Sequence, residues 1–288
     1  MDIQSVLAHL DWLFEEKRLD QVEPYLTGHL EEARQEGDAG AALTLLNELA
    51  GFYRSTSQTE KSLDMAEQAL TAIGEMGLAG TAPHGTTLIN AATAYRAAGD
   101  LNRAAALYQE ALATLQLLGE TGYPLASLLN NMSQVYQSLE QHEEALLCLN
   151  QALEILTSQE DAAPEIATTH SNLALSLLSL GRNQDAKEHL DQALALFEAG
   201  DGPRDAHYGA ALAAAAELAY REGDFQRAVD LYQKALPEIK SSFGENDGYQ
   251  ITCQNLEAAK KALAAQNAAG EASQTSTSPT SGPALREV

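Results

Sequence analysis

The chain has 288 residues, of which 45% are hydrophobic and 20% charged, so it suits one large domain, two ordinary domains or an extended repeat array. Its 17 lysines and arginines are outnumbered by 41 aspartates and glutamates, which gives a formal net charge of −24. Nucleic acids and anionic membrane surfaces select basic proteins, so both are excluded as expected partners.

The cysteines, the first residues and the apolar runs predict a reduced, cytoplasmic protein. Cys148 and Cys253 are too few for a disulfide framework and have no metal-ligand spacing. The opening segment MDIQSVLAHLDWLFEE lacks a basic region, so we do not expect it to be a signal peptide. No apolar run approaches the roughly 18–20 residues that span a bilayer, so no membrane insertion is expected.

No catalytic or metal-binding pattern is found in the sequence. The seven histidines do not cluster or follow metal-ligand spacing, and no nucleophile lies in a recognisable elbow. Adjacent carboxylates such as Glu143 and Glu144 point to different sides of a helix, which suits solvent better than acid–base chemistry. We therefore expect a protein that is not an enzyme and that binds no cofactor or metal.

A pattern recurs along the chain at intervals of 41 or 42 residues. The segments ALYQEAL and DLYQKAL illustrate it, and aligning all copies brings one alanine of each into register. These alanines are Ala69, Ala111, Ala152, Ala193 and Ala235. Twelve residues before each alanine lies a predicted turn position, and these positions are Ser57, Gly99, Glu140, Gly181 and Gly223.

Each copy of the pattern predicts a helix, a short turn and a second helix. Apolar residues three and four positions apart, such as Leu88, Ala92 and Tyr95, mark the first helix. Asp100 and Asp224 are the aspartates of Gly-Asp turns and are expected to cap second helices. Five residues after each turn comes a small residue that should let neighbouring helices approach closely. These small residues are Ser62, Ala104, Ala145, Ala186 and Ala228.

The pattern extends weakly toward both ends of the chain. Residues 2–36 carry a degenerate copy, and 251–265 match a first helix without a second, which predicts a capping helix. From 267 onward the chain is rich in serine, threonine, glycine and proline, so 267–288 should be a disordered tail. The predicted repeat domain is therefore 1–266.

The sequence resembles the tetratricopeptide repeat family, although its units are longer than the usual 34 residues of that family. The lines LLNNMSQVYQSLE (128–140), HSNLALSLLSLG (170–181) and TLINAATAYRAAG (87–99) are most similar to repeats of the kinesin light chain. The resemblance covers roughly 2–265. It implies an all-α fold, a right-handed α-solenoid of six antiparallel helix pairs with a C-terminal capping helix.

Asparagine recurs at one position of the first helices, nine residues before the turn. It is present as Asn90, Asn131 and Asn172, and Asn255 matches it in the predicted capping helix. Helical geometry places this position toward the surface formed by neighbouring first helices, which line the concave side in such arrays. A primary amide can pair with both backbone groups of an extended peptide. The alternative is that each asparagine bonds to a neighbouring helix and fixes the stacking.

The resemblance supports the peptide-binding interpretation, because asparagines at matching positions of the kinesin light chain contact cargo peptides. Further polar residues should lie on the same face and complete a groove. The predicted residues of this candidate groove are Asn47, Arg54, Asn90, Thr93, Arg96, Asn130, Asn131, Gln134, Asn172, Arg182, Arg221 and Asn255.

The four arginines of the candidate groove allow a second hypothesis about the ligand. In so acidic a chain they could bind an acidic residue or a free carboxylate of a peptide through charge-assisted hydrogen bonds. The alternative is that they pair with neighbours, Arg96 with Asp100 and Arg221 with Glu217, at four-residue spacing.

These observations predict a non-catalytic adaptor that binds a peptide or a segment of a partner protein in the concave groove. Two alternatives stay open. One is a peptide-sensing regulatory receptor that acts on a separate effector. The other is an assembly scaffold that forms homo-oligomers through its end repeats.

Overall fold

The computed structural model describes residues 1–199, 206–245 and 247–275, and within them it contains thirteen helices and no strand. The helices are α1 (Ile3–Glu15), α2 (Leu19–Glu36), α3 (Ala39–Ser55), α4 (Thr59–Glu75), α5 (Ala82–Ala97), α6 (Leu101–Leu117), α7 (Tyr123–Ser138), α8 (His142–Leu156), α9 (Ala163–Ser179), α10 (Asn183–Ala199), α11 (Tyr208–Arg221), α12 (Phe225–Phe243) and α13 (Asp247–Thr275). The predicted all-α stack of six helix pairs followed by a single helix is confirmed.

The helices form two compact units that meet in sequence between Ala162 and Ala163. In the first unit, each of the pairs α1–α2, α3–α4, α5–α6 and α7–α8 is in contact, and α3, α5 and α7 lie beside one another. In the second unit, α9 pairs with α10 and α11 with α12, and α11 contacts both α9 and α13. First helices are therefore neighbours within each unit, as the repeat pattern predicts.

The small residues that recur with the repeat lie in the helix contacts. The five aligned alanines from Ala69 to Ala235 are fully buried, with no exposed area. The second set, from Ser62 to Ala228, is also buried, and the Ser62 hydroxyl donates to the carbonyl of Ala50 at 2.8 Å. Short side chains here let the two helices of a pair approach closely, which is the structural role expected of them.

The five predicted turn positions all have a left-handed backbone conformation. Their φ angles are +59° at Ser57, +82° at Gly99, +60° at Glu140, +72° at Gly181 and +81° at Gly223. Each ends the first helix of its pair. At Glu140, for example, the backbone N–H of the following residue, Gln141, donates to the carbonyl of Tyr136 at 2.8 Å. This C-terminal motif favours glycine, so Ser57 and Glu140 carry a side chain where the backbone disfavours one.

Replacing Glu140 with glycine should therefore raise the free energy of unfolding by about 0.5–1 kcal/mol. The matched reverse change is Gly99→Ala, whose added Cβ meets no atom within 4 Å. Its cost is then only the backbone strain, and it should lower the stability by about 1 kcal/mol. Denaturant unfolding followed by circular dichroism measures both changes. Equal stability of Glu140→Gly and the parent would contradict the assignment of strain to this turn.

The starts of several helices also follow the sequence prediction. Asp100 and Asp224 cap α6 and α12, because their carboxylates accept from the backbone N–H groups of Arg103 (3.0 Å) and Arg227 (3.1 Å). Pro83 lies in the first turn of α5, where the missing N–H has no intrahelical partner to lose. Residues close in sequence therefore determine where these helices begin.

The last helix is longer than the sequence pattern predicts. Its range runs past the predicted repeat boundary at 266 to Thr275. Alanines continue after Gln266 and favour helix as strongly as any residue, so the pattern of the capping helix does not end where its buried face ends. The rest of the predicted tail, 276–288, lies outside the described residues.

Candidate functional site

The asparagines of α3 and α5 are bonded to each other. The Asn90 amide donates to the Oδ1 of Asn47 at 3.1 Å, and the Asn47 amide donates to the Thr87 hydroxyl at 3.1 Å. Asn47 also donates to the carbonyl of Leu43 at 3.2 Å. Thr87 is buried, so this network links the two neighbouring first helices from within. This is the arrangement expected if these two asparagines bond to a neighbouring helix and fix the stacking of the helices.

The amides of α7 are arranged differently. Asn130 donates to the carbonyl of Ala126 at 3.2 Å within its own helix. Asn131 and Gln134 lie three residues apart on one face, and both are partly buried. Neither side-chain amide forms a hydrogen bond with the part of the chain that the structure describes. Their donors and acceptors therefore face solvent.

The remaining asparagines of the candidate groove belong to the second unit. Asn172 is partly buried on α9. Asn255 lies on α13 and lines a recess of about 320 Å³ together with Glu217, Arg221 and Tyr232. Burial raises the pKa of the Tyr232 phenol to about 12, with a smaller contribution from the charge of Glu217, and a hydrogen bond with Asn255 opposes that shift. Asn255 thus contacts the preceding helix pair at the end of the repeats.

Two of the four candidate arginines are paired with neighbours. Arg182 donates twice to Asp185, from Nε at 2.9 Å and from Nη2 at 2.6 Å. Arg221 pairs with Glu217, as the four-residue spacing predicts, and also donates to the carbonyl of Leu178 at the end of α9. Arg182 therefore bonds locally at the start of α10, whereas Arg221 links α11 to the end of α9.

Arg54 and Arg96 are not paired in this way. Both are partly buried, and neither forms an ion pair with any residue that the structure describes. The Nη1 of Arg54 and the Nε of Arg96 are enclosed with no hydrogen-bond acceptor. The predicted pair between Arg96 and Asp100 is wrong, because the Asp100 carboxylate instead caps α6 at the N–H of Arg103.

A tyrosine that the sequence did not mark lies close enough to both arginines to interact with their charges. Tyr108 of α6 is fully buried, and its hydroxyl is 2.7 Å from the Thr93 hydroxyl. Burial raises the pKa of the Tyr108 phenol, while hydrogen bonds with Thr93 and Arg96 and the charges of Arg96 and Arg54 oppose the shift. The signal that could have found it is the turn at Gly99, because this turn brings α5 and α6 side by side, with Thr93 six residues before it and Tyr108 nine residues after it.

Two histidines that lie 19 residues apart in the sequence also meet. His170 of α9 and His189 of α10 have their Nδ1 atoms 2.8 Å apart. Burial lowers the pKa of both imidazoles, and the charge of His189 lowers that of His170 further, to about 4. They lie 11 residues before and 8 residues after the turn at Gly181, which is the same pairing signal.

The described residues contain neither a metal-binding cluster nor a membrane-spanning helix. No group of three or more histidine, cysteine, aspartate or glutamate side chains in that part of the chain is placed to hold a metal ion. Within the described ranges, no helix combines the length and the apolar character that crossing a membrane requires.

Comparison with known proteins gives a family match and many structural neighbours. The family model for the tetratricopeptide repeat matches residues 84–158 and 165–237, together just over half of the chain. Among curated proteins, none matches the sequence significantly.

Three solved structures illustrate the structural likeness. BtubC (BKLC) from P. vanneervenii is 23% identical, with a TM-score of 0.63, over 70% of this chain and 84% of that one. A Podosopora anserina protein described as a kinesin light chain with nearly identical TPR-like repeats is 21% identical, with a TM-score of 0.56, over 70% and 96%. NprR in complex with its cognate peptide NprX is 18% identical, with a TM-score of 0.67, over 88% and 71%.

Proposed function

The chain belongs to the tetratricopeptide repeat family, and on this premise we propose that it is a non-catalytic adaptor that binds an extended peptide or partner segment along its first helices. Its repeats resemble those of the kinesin light chain. A stack of first helices with polar, partly buried amides offers hydrogen-bonding groups without a fixed charge. Such a surface can bind a peptide backbone whatever its side chains are.

The observation that carries this proposal is the face of α7 formed by Asn131 and Gln134. Each amide is partly buried, yet neither bonds to the described part of the chain. Because these amides face solvent and have no partner within the described chain, they can exchange water for the N–H or C=O of an incoming peptide. The amides of Asn47 and Asn90, which already bond to each other, have less capacity left for a ligand.

The spacing of the helices sets how a peptide would be held. Packed helices lie about 8–10 Å apart, and an extended peptide covers about 3.3 Å per residue. A first helix can therefore contact about every third residue of the peptide. NprR, a structural neighbour solved with its cognate peptide, supports the proposal that this fold holds peptides here as well.

Replacing Asn131 with alanine is expected to weaken the binding of peptides selected from a random displayed library by about 1–2 kcal/mol, because a desolvated peptide group loses its partner. The effect should be the same at low and high salt, since the amide carries no charge. Isothermal titration calorimetry measures it. The matched control is Asn150→Ala on α8, a second helix, where the amide donates to the carbonyl of Leu146 at 2.8 Å.

Two results would contradict the proposal. One is a library that yields no binder, and the other is an equal loss of affinity in the Asn150→Ala and Asn131→Ala variants. The second outcome would indicate a general loss of structure and not a loss of contact.

A second candidate function is a receptor that senses a peptide and changes shape. The observation that favours it is the likeness over 88% of the chain to NprR, described as a quorum sensor of B. thuringiensis. Sedimentation velocity with and without a selected peptide separates the candidates. A compacted monomer with peptide favours the receptor, and an unchanged monomer favours the adaptor. Concentration-dependent dimers without peptide binding favour the scaffold.

A further inference from the structure

Arg54 and Arg96 hold the same position in successive repeats. Each lies three residues before its turn, Ser57 or Gly99, near the end of a first helix. α3 and α5 are in contact, so the two positions are neighbours on the surface formed by first helices. Arg182 and Arg221 occupy other places relative to their turns. The structure thus separates one pair of equivalent arginines from the four that the sequence grouped together.

The charges of this pair are poorly compensated. The chain carries 41 acidic residues, yet among those described none lies within ion-pair distance of either guanidinium. Burial lowers the pKa of Arg54, Tyr108 opposes the shift, and the charge of Arg96 adds to it. A guanidinium that is removed from water without an acceptor is unfavourable, so this arrangement needs a reason beyond the stability of the fold.

Arg96 lies beside a pair of bonded hydroxyl groups, those of Thr93 and Tyr108. The Thr93 hydroxyl donates to the carbonyl of Ile89 at 2.8 Å, so it can only accept from Tyr108. The Tyr108 hydroxyl then donates to Thr93 and has its lone pairs free to accept from Arg96. Because a guanidinium has five N–H donors and Tyr108 accepts only part of them, Arg96 is oriented but not saturated.

We propose that the Arg54–Arg96 pair, positioned by Tyr108 and Thr93, is a subsite that binds a carboxylate of the peptide. The assignment rests on the proposed function and names the ligand chemistry of one place on the same surface. Two guanidinium groups present forks of N–H donors that match the two oxygens of a carboxylate. Both side chains are only partly buried, so a carboxylate can reach them from solvent. A single acidic side chain also meets less repulsion from a chain of net charge −24 than a polyanion would.

The carboxylate can come from an acidic side chain or from the C-terminus of a peptide. Three fluorescein-labelled octapeptides of alternating glycine and glutamine distinguish these sources. The first has one glutamine replaced by glutamate and an amidated C-terminus, the second is unchanged and amidated, and the third is unchanged and has a free C-terminus. Fluorescence anisotropy with the full chain gives the dissociation constant of each.

At low salt we expect the amidated glutamate peptide or the free-terminus peptide to bind at least tenfold more tightly than the amidated glutamine peptide. The stronger of the two identifies the source of the carboxylate. Arg54→Gln and Arg96→Gln should each remove most of that preference, and higher salt should reduce it. The control Arg103→Gln removes the same charge from an exposed position of α6 in the same helix pair and should retain the preference.

A stability measurement separates a binding role from a structural one. Arg54→Met removes a partly buried charge that has no acidic partner, so its melting temperature should equal or exceed that of the parent while the preference for carboxylate is lost. A fall of many degrees would show that Arg54 holds the fold together, and this would overturn the proposal.

The outcomes also distinguish this subsite from the proposed function. Equal binding of all three octapeptides to the parent overturns the subsite, even when library peptides bind with the expected dependence on Asn131. A preference for carboxylate that Arg103→Gln abolishes as fully as Arg96→Gln does also overturns it, because the effect is then one of net charge. A library that yields no binder overturns the proposed function, while the octapeptides still decide the subsite.

Discussion

Replacing Gly209 with alanine should lower the free energy of unfolding by about 2–3 kcal/mol, because the site has no room for a methyl group. Gly209 is buried at the start of α11, where that helix packs against α12. An added Cβ would lie 2.8 Å from the Cγ1 of Ile239, 2.9 Å from its backbone nitrogen and 3.1 Å from the Cβ of Glu238. A backbone atom cannot turn aside as a side chain can, so the two helices would have to separate.

The repeat supplies a matched control for this change. Gly85 holds the same position in α5, but the first atom that its added Cβ meets is the side-chain Cδ2 of Leu115 at 3.2 Å. Ala126 and Ala167 occupy the position in other repeats and are fully buried. Gly85→Ala should therefore change the stability by less than about 1 kcal/mol, since helix propensity partly offsets the tighter contact.

An exposed helical glycine should show the opposite effect, a gain in stability when it is replaced by alanine. Gly74→Ala in α4 meets no atom within 4 Å and should raise the stability by about 0.5–1 kcal/mol. Denaturant unfolding of the three variants measures their free energies of unfolding. If Gly209→Ala is as stable as Gly85→Ala, the close approach of α11 and α12 is not a constraint on the fold.

Lowering the pH from 7.5 to 5 should destabilise the chain by about 2 kcal/mol through the His170–His189 pair alone. Burial, and then the charge of His189, lowers the pKa of His170 from 6.5 to about 4. Burial also lowers the pKa of His189, although the carboxylates of Glu188 and Asp185 oppose that shift. The fold therefore favours neutral rings, and their Nδ1 atoms, 2.8 Å apart, can share only one proton.

The direction of the effect follows from proton binding. Between pH 6.5 and about 4 the unfolded chain binds more protons at His170 than the folded chain, so stability falls as the pH decreases through this range. Above pH 6.5 both states are neutral and the contribution is constant. Denaturant unfolding of the parent and of the His170→Gln/His189→Gln variant at both pH values isolates the pair from the carboxylates. An equal loss of stability in the two proteins would contradict the assignment of this pH effect to the histidine pair.

The sequence by itself determined the path of the backbone through each repeat. The period of 41 or 42 residues located the helix pairs, and the five turn positions all proved to have positive φ. The caps at Asp100 and Asp224 formed as predicted. These features depend on residues close in sequence, whose hydrophobic spacing and backbone preferences act locally, so a single repeat contains the information for them.

Only the tertiary structure decided which polar side chains bond to each other. Asn47 could contact a ligand or its neighbour Asn90, and the register between α3 and α5 brought the two amides within 3.1 Å. Arg96 could pair with Asp100 four residues away, but the carboxylate bonds to the start of α6 and leaves the guanidinium beside Tyr108. A long polar side chain has several partners within reach at similar energy, and the choice among them depends on how neighbouring helices are set against one another.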